Sequence, residues 1–159
     1  MKDKQIIVLM GGPSEEAEVS RRTGTAIAEA LVSKGYKAQT LELNPRTVLK
    51  DIDSLGGEVV FNAIHGRYGE DGALQGLLEM AEIPYTGSGI MAHAVGMNKK
   101  VSKDVFKGAN IPTARSESYN GNLESAEAII DHIRKEFTIP VVVKSATQGS
   151  SIGVTIVRE

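Results

Sequence analysis

The chain contains no cysteine, and that one absence excludes disulfide frameworks, thiolate zinc sites and cysteine nucleophiles together. It fits a reducing compartment, and a cytoplasmic location is expected. No apolar run approaches the ~18 residues that a membrane-spanning helix requires, so no membrane partner is expected. The run Ile6 to Met10 stops at Gly11-Gly12, too early for the apolar core of a signal peptide. Net charge is also scarce. At -2 over 159 residues the chain lacks the basic face that a nucleic-acid partner demands. The length suits one domain, or one and a fraction.

What the chain does have is glycine, 17 residues of 159, against an average of about 7%. Several of these glycines punctuate apolar runs. Ile6-Ile7-Val8-Leu9-Met10, apolar throughout, reads as a buried parallel strand. Ser14 is expected to cap a helix opening with Glu15, Glu16 and Ala17. That helix carries Val19, Thr23, Ala26, Ile27, Ala30 and Leu31 at helical spacing and ends at Gly35. Residues 38–43 and 59–64 read as further strands, the last leading into His65-Gly66. Strand and helix in alternation imply a right-handed βαβ start and an open parallel sheet. Helices are expected over about 73–81 and 98–107. After Ile111-Pro112 the texture changes to an extended piece, a helix near 124–136, a strand over 139–144, a small-residue loop to Gly153 and a strand over 154–157. A boundary is placed near residue 95, giving an α/β domain over 1–95 and a second, incomplete α+β domain over 96–159.

Four constellations carry chemical potential. Gly11-Gly12-Pro13-Ser14-Glu15-Glu16 forms a strand-to-helix turn, where open α/β sheets bind ligands. Amides there favour anions; the crowded glutamates favour an ammonium group or simply offset the helix dipole. His65 opens the glycine-rich loop to Gly72, as an orienting or proton-shuttling group or as a satisfied loop histidine. Lys144, ending a Val-Val-Val strand, is expected to be partly desolvated and to seek phosphate. The loop after it offers Ser145, Thr147, Ser150 and Ser151 among glycines, a composition suited to phosphate oxygens, although no Gly-Lys-Ser/Thr opens a helix as a P-loop does. Asn98-Lys99-Lys100, at a helix start, is the weakest signal.

In this order, the segments Gly11-Gly12-Pro13-Ser14 through Glu18-Val19-Ser20, His65-Gly66-Arg67 with Gly69-Glu70-Asp71-Gly72 and Leu74-Gln75-Gly76, Pro84-Tyr85-Thr86-Gly87-Ser88, Met97-Asn98-Lys99, and Val143-Lys144 with Gly149-Ser150-Ser151-Ile152-Gly153 closely resemble the N-terminal half of the D-alanine–D-alanine ligase family. The resemblance implies an open, mostly parallel, Rossmann-like sheet followed by the first part of an ATP-grasp domain. It implies ATP-driven joining of two D-alanines through an acyl phosphate, for peptidoglycan synthesis. Glu16 would bind the ammonium of the first D-alanine, and His65 would lie near its carboxylate. Ser150 would share a hydrogen-bond network with Glu16. Lys99 and Lys144 would meet the ATP phosphates, under a mobile loop carrying Ser151. Magnesium would be required, with ligands in a C-terminal half beyond this sequence. A homodimer would be expected, with the apolar residues between Met80 and Val95 as candidates for the contact. The sequence departs from the family pattern at Ala17, Ser145 and Gln148.

Because the sequence stops two residues past a strand, a truncated chain without activity of its own is expected. A stand-alone amino-acid-binding module, or a ligase whose second substrate is D-lactate or D-serine, are the competing readings.

Overall fold

The computed structural model describes residues 2–159. They fall into two compact units, Met1–Gly96 and Met97–Glu159.

In the first unit, β1 (Gln5–Met10) lies at the centre of a three-stranded sheet, between β2 (Lys37–Glu42) and β3 (Val59–Asn62). Both pairings are parallel, with Ile7 opposite Gln39 on one side and Val60 on the other. The position explains the composition of β1. A strand flanked on both edges and covered on both faces has no solvated side, so Ile6, Ile7, Val8 and Leu9 are all buried. Alternation then divides them. Ile7 and Leu9 pack with Leu43, Val60 and Ile64, with α2 (Val48–Ser54) through Val48 and Ile52, and with α3 (Ala73–Met80) through Leu74 and Leu78. Ile6 and Val8 pack with Val59, Ala63 and Ala28 of α1 (Ala17–Ser33). Each fully buried aliphatic side chain contributes about 1.5–3 kcal/mol.

The inner face of α1 differs in part from the one expected, although Ile27 and Leu31 pack against the core as their spacing implies. Ser20, Gly24 and Ala28 are its buried residues, while Val19 is 51% exposed and Ala26 and Ala30 face solvent. Close approach is the reason: a Cβ on Gly24 would stand 2.6 Å from that of Met10. The helix meets the sheet through small side chains, which hydrophobic spacing does not reveal.

Two helices were not expected from the sequence, α2 and α4 (Ile90–Met97). Each is short, and α4 is apolar without a polar face, so neither shows a clear 3.6-residue period. The strand expected over 59–64 ends at Asn62, although the Ala63 amide still reaches Leu9 O at 2.9 Å.

In the second unit, α5 (Lys99–Gly108) starts at Asn98, whose side chain accepts from the amides of Lys100 and Val101. The helix α6 (Ala126–Glu136) is capped by Ser125. The strands β4 (Val141–Val143) and β5 (Thr155–Val157) pair antiparallel. The buried apolar side chains all lie between Ile6 and Leu78; in the second unit Val142 and Ile156 are each 55% exposed.

Ser20 is fully buried; its hydroxyl accepts from Gly11 N at 2.8 Å and donates to Ala63 O at 2.7 Å. Ser20→Ala leaves both backbone groups unpaired, so a loss of about 1–3 kcal/mol is expected in denaturant unfolding. A change within error would show that water replaces the hydroxyl.

Candidate functional site

The turn after β1 is shaped by Gly11 and Gly12, at φ +70° and +84°, a region that side chains disfavour. A Cβ on Gly11 would lie 2.1 Å from the Glu42 carboxylate and displace it from the turn. Four backbone amides of this turn are engaged within the unit. Gly11 N donates to Ser20 and Gly12 N to Glu42 at 3.1 Å; Glu16 N donates to Ser14 Oγ at 3.3 Å and Ala17 N to Ser14 O at 3.1 Å. Ser14 is not the helix cap. The helix begins at Ala17 with Glu16 in the N-cap position, and no side chain caps it.

Glu42 ends β2 and reaches across to the turn, where Arg21 of α1 clamps it through Nη2 at 2.8 Å and Nε at 3.2 Å. The Arg21 guanidinium, aided by the Gly12 amide, holds the Glu42 carboxyl below its ordinary value of 4.5.

The turn after β3 is held as firmly. Asn62 donates to Gly69 O at 2.9 Å and accepts from Ile64 N at 3.1 Å. Buried Gln75 donates to Gly69 O at 2.7 Å. Glu70 accepts from Gly66 N at 2.7 Å, and Asp71 from Tyr68 N and Ala73 N at 2.9 and 3.0 Å. Glu70 and Asp71 thus serve the loop itself. The His65 side chain, half-buried, lines a cleft of about 270 Å³ with Thr23, Asn62, Glu70, Thr86 and His93.

The two turns meet. Ser14 Oγ donates to His65 O at 2.8 Å, and Glu16 Oε2 lies 3.0 Å from where a Cβ on Gly66 would stand. Among the described residues no donor hydrogen-bonds to the Glu16 carboxylate. A carboxylate left unpaired beside a histidine loop is chemically suited to a small ammonium-bearing ligand. The Glu16 carboxylate therefore meets the backbone of the His65 loop in the first unit, while the cleft that His65 lines does not include Glu16. Ser14, Ser20 and Gln75 stood in the segments that carry the resemblance without these roles, and Glu42 and Asn62, which also shape the site, were not singled out. Their signal is faint, because each acts through backbone groups brought near by strand pairing.

In the second unit, Lys99 meets the loop between β4 and β5: Lys99 N donates to Ala146 O at 2.9 Å, and its Nζ to Gln148 O at 2.5 Å. That loop carries Ser150, at φ +50°, and Ser151, both exposed. Lys144 departs from expectation. It is exposed rather than desolvated, because β4 stops at Val143 and the strands beside it are themselves open to solvent. Among the described residues no cluster of three or more His, Asp or Glu could hold a metal ion.

Two family models match the chain: the D-ala D-ala ligase N-terminus over residues 37–88 and the D-ala D-ala ligase C-terminus over residues 105–159. The D-alanine–D-alanine ligase of Moorella thermoacetica is 46% identical over 161 residues, covering 98% of this chain and 50% of the relative. That of Desulforudis audaxviator is 47% identical over 156 residues, covering 98% and 49%. Among solved structures, the Bacillus anthracis ligase superposes with a TM-score of 0.76 at 33% identity, over 98% of this chain and 50% of that one. Its complex with ATP gives 0.74 at 31%, with the same coverage. The chain spans about half the length of the curated relatives it matches.

The Arg21–Glu42 clamp generates a pH prediction. A carboxyl whose pKa is lower in the folded state stabilises above its unfolded value, here 4.5, and loses that contribution as the pH falls through the folded value. Both side chains are nearly half exposed, at 45% and 48%, so the contribution stays under about 1 kcal/mol. Arg21→Ala should lower stability slightly at neutral pH, and the gap should close in acid. Thermal melts across pH check this; a gap independent of pH would contradict it.

Proposed function

The chain belongs to the D-alanine–D-alanine ligase family, and on that premise we propose that the full-length protein carrying it joins two D-alanines at the expense of ATP. The carboxylate oxygen of the first D-alanine attacks the γ-phosphorus, giving an acyl phosphate and ADP. The amine of the second D-alanine then attacks the acyl carbon, and phosphate leaves as the amide bond forms. The task for the protein is to hold two zwitterions and a triphosphate in line and to stabilise a tetrahedral oxyanion.

The observation that carries this reading is the unpaired Glu16 carboxylate packed against Gly66 beside His65. Glu16 binds the ammonium of the first D-alanine, and His65 orients its carboxylate. Ser150 is assigned to substrate orientation and proton movement. Lys99 and Lys144 are assigned to the ATP phosphates and Ser151 to the loop over them. Lys99 already points its ammonium at that loop's backbone oxygen, and the exposed Lys144 is free to reach a phosphate. Magnesium, which neutralises phosphate charge when bound, would take its ligands from residues outside this chain.

ATP consumption suits a cytoplasmic enzyme, and the dipeptide product suits peptidoglycan synthesis and so cell shape. A homodimer is part of the proposal. Its support is a patch on the first unit where Met80 is 88%, Met91 77% and Ile90 41% exposed.

Glu16→Gln in the full-length enzyme keeps shape and removes charge. The KM for the first D-alanine should rise far more than the KM for ATP; equal effects on both would reduce Glu16 to a helix-start acid. Mass analysis of the product with D-alanine, D-lactate and D-serine offered together should give D-alanyl-D-alanine, and a depsipeptide or a mixed dipeptide would reassign the second substrate. The 159-residue chain by itself should release no phosphate from ATP with D-alanine and magnesium, and turnover above about one per second would overturn the dependence on the remainder of the enzyme.

A further inference from the structure

Ser14 lies at the rim of the first unit, two residues before Glu16, and its hydroxyl joins residues that are 51 positions apart in sequence. Its proton goes to the His65 carbonyl oxygen at 2.8 Å, and its oxygen accepts the Glu16 amide at 3.3 Å. Its carbonyl receives the Ala17 amide at 3.1 Å. A capping serine occupies the N-cap itself and accepts from the second or third helical amide. Ser14 does neither, so helix capping does not account for it. The Glu16 carboxylate, Ser14 and Gly66 form one packed group: from a Cβ placed on Gly66, Glu16 Oε2 would be 3.0 Å away, Ser14 Cβ 3.5 Å and Ser14 Oγ 3.6 Å. Gly66 adopts φ +73°, which lets the His65 loop turn without a side chain intruding on the carboxylate.

We propose that Ser14 is a positioning residue, whose hydroxyl sets where the Glu16 carboxylate stands relative to His65 and so tunes affinity for the ammonium-bearing substrate. The proposal rests on the reading of Glu16 given above. Ser20 makes a comparable bridge, but deep in the core, where its loss costs stability. Ser14 is only half-buried, so its loss falls on geometry at the site.

The test is steady-state kinetics of the full-length enzyme with Ser14→Ala, Ser14→Thr, Glu16→Gln and the double variant Ser14→Ala/Glu16→Gln. Losing two backbone tethers of ordinary strength should raise the KM for the first D-alanine about ten-fold, with the KM for ATP nearly unchanged. Ser14→Thr, which keeps the hydroxyl, should restore most of the affinity. Because Ser14 acts through Glu16, its removal should add little once Glu16 is already Gln. A fall in melting temperature with unchanged KM for D-alanine, or an equal Ser14→Ala effect in both backgrounds, overturns the proposal and leaves the role of Glu16 standing. A Glu16→Gln variant with a normal KM for D-alanine overturns the role of Glu16 and this proposal with it.

Discussion

Two turns that leave the same edge of a parallel sheet share no ladder of backbone hydrogen bonds, because the ladder ends where the strands end. Side-chain hydroxyls supply the missing ties here. Ser20 joins the turn after β1 to the turn after β3 inside the core, and Ser14 joins them again at the surface. Between these two ties the Glu16 carboxylate comes to rest against the His65 loop. The remaining features of the first unit support that arrangement. The apolar faces of β1 fix the sheet between its helices, and the small residues of α1 bring the helix start close enough for Ser20 to reach both strands.

Several groups at the helix start are already satisfied within the unit. A helix start at the carboxyl end of a sheet ordinarily attracts anions through its amides. In this chain Ser20, Glu42 and Ser14 take up the amides of Gly11, Gly12, Glu16 and Ala17. Among the described residues, the Glu16 carboxylate is left without a hydrogen-bond donor beside them. In the second unit, Lys99 is joined to the serine-rich loop through that loop's backbone carbonyls. On the proposed reading, the first unit's carboxylate and imidazole suit a zwitterion, and the second unit's ammonium and hydroxyl groups suit phosphate.

Much of this was legible in residue order. The run Ile6 to Met10 is apolar on both faces because it is the central strand, and the glycines after it mark the turn that Glu42 fills. Residue order placed Glu16 and His65 after strands at the carboxyl edge of the sheet, and the family resemblance supplied the roles proposed for them. The inner face of α1 was readable only in part, through Ile27 and Leu31. Hydrophobic spacing favours Val19 and Ala26, whereas the packing uses Ser20, Gly24 and Ala28. Lys144 misled for a related reason: three valines suggest burial, yet a three-residue strand in a two-stranded sheet desolvates nothing beside it. The roles of Ser14, Asn62 and Gln75 depend on partners that only the folded backbone brings within reach.

The most direct measurement is a crystal structure of the full-length protein with D-alanine bound. The account predicts the ligand's ammonium nitrogen about 2.7–2.9 Å from the Glu16 carboxylate, with the His65 loop still tied to Ser14. A D-alanine bound elsewhere, or held with Glu16 turned away into solvent, would contradict it.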